Sequence, residues 1–289
     1  MFVLLGGKGY VGTAFRKSLT AQGIPYRSIS RCDVDYSDPV LLRDLLSTSG
    51  ATFLINAAGF TGRPNVDACE LHKSDCLAGN AVLPGTVRAV CEELSLPWGH
   101  VSSGCIYTGA KADGSGFNEQ DPPNFSFRQD NCSFYSGTKA LGEEILADAE
   151  RCFIWRLRIP FDEFDSPRNY ISKMMRYDCL LDARNSLSHL RQFVESCIAC
   201  HTTEQQYGIY NLTNPGAVTT RDVVDLILRH RLTDKSFAFF DSLEQFMDQA
   251  ANTPRSNCVL DSDKAIAAGL PLLPVEESLE HAMSHWVPE

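Results

Sequence analysis

The sequence has 289 residues, of which 44% are apolar and 21% charged, enough chain to bury the core of a large α/β domain. Its 26 Lys and Arg against 36 Asp and Glu give a formal net charge of −10, which argues against nucleic acid or an anionic membrane surface as the main partner. The apolar run that opens the sequence is too short for a signal peptide or a membrane span, so we expect a cytoplasmic protein.

Short apolar runs alternate with helical stretches in the first half of the chain, which is typical of a parallel sheet covered by helices on both faces. We predict strands at 2–5, 25–30, 52–56, 98–102 and 152–158, and helices at 10–22, 38–47, 80–94 and 136–150. The polar, glycine-rich segment 109–131 is predicted to be a loop over the site. The predicted fold class is therefore α/β, a Rossmann-type doubly wound parallel sheet.

The alternation loosens after Pro160. We therefore expect a nucleotide-binding Rossmann domain over 1–160 and a smaller C-terminal α/β lobe that binds substrate over 161–289. Chains of this type often cross back to the first sheet, so this boundary is approximate.

The eleven cysteines are odd in number and lack framework spacing, which fits free thiols in a reducing compartment. One local pattern, Cys197-x-x-Cys200-His201, matches the attachment motif of c-type haem, but that attachment occurs in exported proteins. A structural zinc needs about four ligands, and no second pair lies nearby. We therefore predict no metal site.

A glycine-rich motif, Gly6-Gly7-Lys8-Gly9-Tyr10-Val11-Gly12, stands between the first predicted strand and the first predicted helix. Such glycines allow a tight turn and a close approach of the backbone to a pyrophosphate, which then lies at the helix N-terminus. The position inside a βαβ unit favours a dinucleotide over a merely tight turn. The residues that we place against the cofactor are Gly6, Gly9, Tyr10, Val11 and Gly12.

The residue that reads the adenosine ribose is expected about 20 residues further on, in Ser30-Arg31-Cys32-Asp33. An arginine there accommodates the 2′-phosphate of NADP, whereas an acidic residue favours NAD. Arg31 lies nearest the expected strand end, so we predict NADPH as the cofactor and include the adjacent Asp35 and Tyr36 in its site. A ribose contact by Asp33 stays an alternative.

Tyr135 and Lys139 are four residues apart at the start of a predicted helix and hence on one face of it. An ammonium beside a phenol is expected to lower the pKa of the phenol toward neutral pH. The tyrosine can then give a proton to a carbonyl oxygen as hydride reaches the carbon. This pair is the predicted acid of a hydride transfer.

The order of glycine loop, strand-end Ser103, Tyr135 and Lys139 closely resembles the extended short-chain dehydrogenase/reductase family. In that family the serine hydrogen-bonds the reacting oxygen, and Ser103 is the matching position. Asn56-Ala57-Ala58-Gly59 resembles the family's turn beside the cofactor. Asn80 also matches, with a capping or buried structural role as the alternative. The resemblance implies a dehydrogenase or reductase.

Cys105 follows Ser103 by two positions, the spacing at which GDP-L-fucose synthase, an epimerase/reductase of this family, has a cysteine that acts in epimerisation. The alternative is a small buried apolar thiol. Segments spread from about 51 to 261 resemble the nucleotide-rhamnose synthase/epimerase-reductases of plants, and more distantly dTDP-4-dehydrorhamnose reductase. These segments include 56–67, 122–125, 133–135, 167–173 and 254–257. By this resemblance Lys173 is the partner of Cys105, with an ordinary surface lysine as the alternative.

The substrate implied by the resemblance is a nucleotide-4-keto-6-deoxysugar. Arg63 and Arg255 are candidates for binding its diphosphate, because a guanidinium can donate two hydrogen bonds to that group. The alternative for each is an ordinary surface arginine. The residues expected to line the sugar pocket by resemblance alone are Asn65, Arg168 and Asn169. A homodimer is a family expectation.

Three hypotheses stay open at this point. The first is a bifunctional 3,5-epimerase/4-reductase that uses NADPH to make a nucleotide-linked L-rhamnose. The second is a 4-ketosugar reductase in which Cys105 is structural. The third is a non-catalytic NADP-binding regulatory subunit, like the β subunit of methionine adenosyltransferase, although such a subunit has no need of the Tyr135 proton donor. UDP, dTDP and GDP remain open as the nucleotide carrier, and so does the final stereochemistry of the sugar.

Overall fold

The computed structural model describes residues 1–63 and 65–288, which form ten strands and twelve α-helices. The strands are β1 (Phe2–Leu5), β2 (Tyr26–Ile29), β3 (Phe53–Asn56), β4 (Trp98–Ser103), β5 (Cys152–Leu157), β6 (Pro160–Phe161), β7 (Cys179–Leu180), β8 (Ser188–His189), β9 (Gly208–Asn211) and β10 (Ala238–Phe239). The helices are α1 (Tyr10–Ala21), α2 (Pro39–Thr48), α3 (Ala68–Leu71), α4 (Lys73–Leu77), α5 (Leu83–Glu93), α6 (Phe134–Ile145), α7 (Tyr170–Arg176), α8 (Leu190–Thr202), α9 (Thr220–Arg229), α10 (Leu243–Gln249), α11 (Asp263–Ala267) and α12 (Val275–Ser284).

Six parallel strands form the main sheet in the order β2-β1-β3-β4-β5-β9. Because side chains alternate along a strand, each face of this sheet has its own apolar core. One core joins Phe15 of α1 to Trp155 and to Phe193 of α8. The other packs helices α2 and α5 on the opposite face, around Leu54 and Trp98. The predicted doubly wound α/β fold is confirmed.

The last strand of the main sheet comes from the second half of the chain. β9 pairs in parallel with β5, and α8 packs against α1 in the first core. The chain therefore returns to the main sheet within residues 161–289, the segment predicted to form the smaller lobe. The rest of that segment has a separate apolar core around Phe161, Leu187 and Leu279, with two small sheets, β7-β10 and β6-β8.

Two helix starts differ from the predicted elements in ways that matter for the site. The predicted helix 80–94 begins instead with a π-helical turn, Ala78–Val82, that contains Asn80. The helix predicted from 136 begins at Phe134, because the hydroxyl of Ser133 accepts a hydrogen bond from the Ser136 amide at 3.2 Å and caps it. Tyr135 therefore lies in the first helical turn.

The cysteines of the haem-like pattern serve the core. Cys197 and Cys200 are buried on α8, and the ring of His201 stacks on Phe53 with centroids 4.0 Å apart. All eleven cysteines are free thiols. Within 1–63 and 65–288 no group of three or more His, Cys, Asp or Glu side chains could hold a metal ion, and no helix there is long and apolar enough to cross a bilayer.

Candidate active site

The candidate site lies where the parallel strands of the main sheet end. β1 runs into Gly6, β3 into Ala57, β4 into Gly104 and β5 into Arg158. In an open α/β sheet the carboxyl ends of the strands form the crevice in which ligands bind. The cofactor motif and the Ser103–Cys105 segment are therefore at one edge.

The turn after β1 requires glycine at two places. Gly6 has a φ of +77°, and a Cβ there would lie 2.6 Å from the backbone nitrogen of Ala58. A Cβ on Gly12 would lie 2.2 Å from the carbonyl oxygen of Gly6. The Gly9 amide donates to that same oxygen at 3.0 Å, which closes the turn. The result is a backbone cradle that side chains would fill, as a dinucleotide pyrophosphate requires.

Helix α1 begins at this cradle with its N-terminus free. Gly9 is its N-cap and supplies no side-chain acceptor, so the first-turn amides, including those of Tyr10 and Val11, are placed for an anion. The Tyr10 hydroxyl is buried beside Asp162, and burial together with that carboxylate raises the pKa of Tyr10. Any contact of Tyr10 with the cofactor would therefore be made by its backbone amide.

The loop after β2 leaves Arg31 as the available charge for an adenosine ribose. Asp33 accepts hydrogen bonds from the amide and hydroxyl of Ser30 at 2.9 and 2.6 Å, and these bonds lower the pKa of Asp33. Arg31 is exposed, with its guanidinium 5.9 Å from the ring centre of the buried Tyr36. Asp35 is also exposed, and its carboxylate accepts a hydrogen bond from the Ser37 amide. This arrangement favours Arg31 over Asp33 as the ribose-phosphate contact.

Asn56 shapes the turn after β3. Its side-chain oxygen accepts from the Ala58 amide at 3.1 Å, and its nitrogen lies 3.2 Å from Nδ1 of the buried His100. Burial, with a smaller effect of Lys139, holds the pKa of His100 well below its usual value, so the ring is neutral and Nδ1 accepts. Asn56 therefore fixes the backbone of 57–58, where the sequence predicts a contact with the cofactor.

Tyr135 and Lys139 lie one turn apart on α6, beside the end of β4. The Lys139 ammonium donates to the Val101 carbonyl at 3.3 Å, and Ser103 faces the Tyr135 phenol. A Cβ on Gly59 would lie 3.5 Å from the Lys139 nitrogen, so this ammonium also adjoins the loop after β3. The structure thus brings together the three residues that the sequence predicted from separate segments.

The pKa of Tyr135 is raised, whereas the sequence predicts a lowered pKa. Burial raises it well above the usual value, the nearby Cys105 adds to this, and the Ser103 hydrogen bond opposes it. Burial also lowers the pKa of Lys139. The expected lowering of the Tyr135 pKa by the ammonium is therefore wrong for the protein alone, because burial outweighs it. A protonated phenol remains a proton donor.

Asn80 is a clamp between two parts of the site. It accepts from the Phe60 amide at 2.9 Å and donates to the Phe60 carbonyl at 2.8 Å and to Thr138 Oγ1 at 3.2 Å. It therefore ties the loop after β3 to α6, next to Lys139. This is the structural alternative that the sequence left open.

Sequence reasoning missed a buried ion pair under the helix. Glu143, one turn after Lys139, accepts from Arg156 Nη2 at 2.7 Å and from the Ser102 hydroxyl at 2.5 Å. Arg156 is only 2% exposed. The sequence does contain a sign of this pair, an arginine inside an otherwise apolar strand, because an arginine is rarely buried unless it is paired.

Cys105 lies in a 3₁₀ turn, Gly104–Ile106, directly after β4. Its amide donates to the Ser103 hydroxyl at 3.2 Å. Burial raises the pKa of the thiol, and hydrogen bonds from serines together with the charges of Arg158 and Lys139 oppose that rise. The thiol therefore stands in the same site as Ser103 and Tyr135, protonated at rest.

Lys173 lies on α7 of the smaller lobe and is half-buried. Burial, then the charge of Arg168, lowers the pKa of its ammonium. Arg168 in turn donates to the Gly62 carbonyl at 2.9 Å, which joins α7 to the loop after β3. Among the described residues no hydrogen bond or ion pair connects Lys173 to Cys105.

Arg255, a predicted contact of the diphosphate, forms an ion pair within the protein. Both of its terminal nitrogens donate to Asp67, each at 2.7 Å, so this pair carries no net charge. Asp67 is itself positioned by Asn65, whose side-chain oxygen accepts its amide at 2.8 Å. Arg63 is exposed and has no ion pair within the described chain, which leaves it as the better placed of the two arginines for a diphosphate.

Asn169 has a structural role that the resemblance did not indicate. It is fully buried and caps α7 by accepting from the Ile171 amide at 3.0 Å. Its amide group donates to the Asp162 and Phe164 carbonyls, each at 2.8 Å. These hydrogen bonds position α7 and with it Lys173, and a direct contact of Asn169 with the sugar stays a prediction.

A cavity of about 410 Å³ opens in the smaller lobe beyond these residues. Its lining includes Asp182, Arg221, Phe240 and Asn257. Asn257 adjoins the active-site edge through Asn185, whose amide donates to it at 3.1 Å.

The glycine cradle, the free helix N-terminus and the assembled Ser103, Tyr135 and Lys139 define an extended short-chain dehydrogenase/reductase. Residues 1–287 match the family model described as the RmlD substrate binding domain. The chain belongs to this family.

Two curated proteins of Arabidopsis thaliana are similar over 96% of this chain. A bifunctional dTDP-4-dehydrorhamnose 3,5-epimerase/dTDP-4-dehydrorhamnose reductase is 33% identical over 283 residues, which are 90% of its length. A trifunctional UDP-glucose 4,6-dehydratase/UDP-4-keto-6-deoxy-D-glucose 3,5-epimerase/UDP-4-keto-L-rhamnose-reductase is 34% identical over 283 residues. The chain spans 41% of that longer protein.

Solved structures share the fold. The L780 UDP-rhamnose synthase of Acanthamoeba polyphaga mimivirus has a TM-score of 0.90 at 23% identity, covering 98% of each chain. The dTDP-4-dehydrorhamnose reductase of Bacillus anthracis, in complex with NADP, has a TM-score of 0.80 at 15% identity, covering 99% of this chain and 97% of the other. At these identities the likeness concerns the fold alone.

Proposed function

We propose that this chain is an NADPH-dependent 3,5-epimerase/4-reductase that converts a nucleotide-4-keto-6-deoxyglucose to nucleotide-L-rhamnose. The observation that carries the proposal is the placement of the Cys105 thiol in one site with Ser103 and Tyr135. The reductase part has further support from the relatives, whose names combine 4-keto reduction with rhamnose synthesis.

The residues of the N-terminal edge fit NADPH. The cradle of Gly6 and Gly12 with the free N-terminus of α1 would hold the pyrophosphate, and Arg31 would bind the 2′-phosphate. When bound, NADPH supplies the hydride for C4 of the sugar. A family reductase that carries NADP supports this choice of cofactor.

Tyr135 gives the proton in the reduction. Its phenol is protonated at neutral pH, because burial raises its pKa. It can therefore donate to the C4 oxygen as negative charge develops there. Ser103 provides a second hydrogen bond to that oxygen, and the Lys139 ammonium stabilises the phenolate that remains.

The same oxygen serves the epimerisation. A ketone at C4 makes the protons on C3 and C5 acidic, and the resulting enolate oxygen would be held by Tyr135 and Ser103. We propose that Lys173, whose pKa is lowered by burial, takes the carbon proton and that Cys105, which lies beside Ser103, returns one from the opposite face.

A reductase without epimerase activity is the second candidate. It is favoured by the apolar surroundings of Cys105, which packs with Ile106, Tyr107 and Leu260. It is also favoured by the absence, among the described residues, of a hydrogen bond or ion pair between Cys105 and Lys173. In that case the thiol would only fill space.

Turnover with UDP- and dTDP-4-keto-6-deoxyglucose separates the two candidates. Each substrate is incubated with the protein and NADPH, and the product sugar is identified by NMR. We expect L-rhamnose, and the faster substrate identifies the nucleotide. NADPH oxidation that yields an unepimerised 6-deoxysugar would leave only the reductase. The homodimer and the cytoplasmic location stay predictions.

A further inference from the structure

Arg158 is a buried cation without an acidic partner among the described residues. It directly follows β5 and is 5% exposed. Its Nη2 donates to the side-chain oxygen of Asn185 at 2.6 Å and to the Ser256 carbonyl at 2.5 Å. Its Nε is buried and has no hydrogen-bond partner. The guanidinium is thus fixed in place by neutral groups.

A comparison with Arg156, two residues earlier, shows how unusual this is. Arg156 is also buried, but Glu143 neutralises it through both carboxylate oxygens. Among residues 1–63 and 65–288, no carboxylate makes a comparable contact with Arg158. Because an unpaired buried charge is strongly unfavourable, its retention at the edge of a site indicates an anion that forms during function.

The group next to Arg158 is the turn that carries Cys105. β4 and β5 are neighbours with Ser103 opposite Leu157, so the residues that follow them adjoin. A Cβ on Gly104 would lie 3.5 Å from Cδ of Arg158. The charge of Arg158 opposes the rise that burial causes in the pKa of Cys105.

The other groups around Cys105 do not replace this cation. They are the ammonium of Lys139, the phenol of Tyr135 and the thiols of Cys69 and Cys132. The phenol and the thiols are neutral at rest. Lys139 is directed to the Val101 carbonyl.

We infer that Arg158 is a positioning residue that stabilises the thiolate of Cys105 during epimerisation. The inference rests on the proposed function. When Cys105 protonates the enolate, a C–H bond forms and the S–H bond breaks, leaving a thiolate on sulfur. Lys173 holds the proton taken from the other face, so no redox step is involved. Arg158 supplies the counter-ion of that thiolate, which lets the thiol act as an acid despite its burial.

The test is the pH profile of Cys105 in Arg158→Met and Arg158→Lys. Iodoacetamide alkylation is followed by mass spectrometry, with the exposed Cys32 in the same molecule as the reference. We expect the Cys105 midpoint to rise by about one pH unit or more in Arg158→Met, because a nearby opposite charge is lost, and to return toward wild type in Arg158→Lys. The Cys32 midpoint should not move. An unchanged Cys105 midpoint in Arg158→Met would overturn the inference.

A second measurement links this shift to the reaction. Deuterium exchange from solvent at C3 and C5 is compared with NADPH oxidation in the same variants. We expect the ratio of exchange to reduction to fall on the order of tenfold in Arg158→Met. If wild type shows no exchange, the proposed function fails while the alkylation result still stands. Arg158→Gln, which can keep an amide hydrogen bond, carries the same test if Arg158→Met does not fold.

Discussion

Tyr135 and Lys139 lie on α6, a helix of 12 residues packed on the main sheet, whereas Lys173 lies on α7, a helix of 7 residues in the smaller lobe. The first pair is fixed by apolar packing and by the Glu143–Arg156 ion pair beneath it. The second region combines the apolar core of α7 with polar contacts, such as the Asn169 cap at the start of α7 and the distant ion pair of Asp67 with Arg255.

The two regions correspond to the two proposed steps, reduction at C4 and epimerisation at C3 and C5. Tyr135 and Lys139 lie on one packed helix, as proton transfer to a fixed C4 oxygen requires. The two residues proposed for epimerisation lie on separate elements, Cys105 after β4 and Lys173 on α7. Variants of the two regions should therefore affect different steps, reduction for the first and exchange at C3 and C5 for the second.

The largest effect is expected for Tyr135→Phe. Loss of the proton donor should lower NADPH oxidation by about 10²–10⁴-fold, because general acid catalysis contributes that much. Exposed Tyr207→Phe is the matched control and should oxidise NADPH like wild type. Normal oxidation in Tyr135→Phe would remove the phenol from the reaction.

Cys105→Ser addresses the other region. Solvent deuterium exchange at C3 and C5 should fall by about 10²-fold or more, because a serine hydroxyl is a far weaker acid than a thiol. Partial reduction of a substrate that is already epimerised should persist. Cys32→Ser, at an exposed site, serves as the control. Exchange at the wild-type rate would make Cys105 a structural thiol.

Glu143→Gln tests whether the reductive region depends on its ion pair. It leaves the buried Arg156 without its hydrogen-bonded carboxylate, so the free energy of unfolding should fall by ~3–5 kcal/mol in urea titrations. The adjacent Glu144→Gln breaks only the exposed pair with Arg128 and should cost about 0–1 kcal/mol. Equal losses in the two variants would mean that the buried pair does not support α6.

Arg31→Ala should have the smallest effect and act on the cofactor alone. Removing a guanidinium from the 2′-phosphate should reduce the preference for NADPH over NADH by about tenfold, the size of one charge-assisted hydrogen bond. Comparison of kcat/KM for the two cofactors measures it. A wild-type enzyme that prefers NADH would make Asp33 the ribose contact.

The reductive region could be predicted from sequence because its signals are local. Glycine spacing between a strand and a helix predicts the cradle, and a spacing of four places Tyr135 and Lys139 on one face. Helix starts were missed where a cap decides them, as at Ser133. A π-helical turn at Asn80 has no periodicity that differs enough from an α-helix to be seen.

The second region was less predictable because its partners are distant in sequence. The Asp67–Arg255 pair joins residues 188 positions apart, and neither residue type reveals the other. Asn169 looked like a sugar ligand, but its cap role depends on where α7 begins. The direction of the Tyr135 pKa was also wrong, because a sequence does not show how completely a phenol is buried.

The most direct test of the account is the reaction run in D₂O with protiated NADPH and nucleotide-4-keto-6-deoxyglucose. We predict that NMR of the product will show L-rhamnose with deuterium at C3 and C5 and protium at C4, because both carbons exchange before hydride arrives. A reduced sugar that carries protium at C3 and C5 would contradict the account and leave a reductase alone.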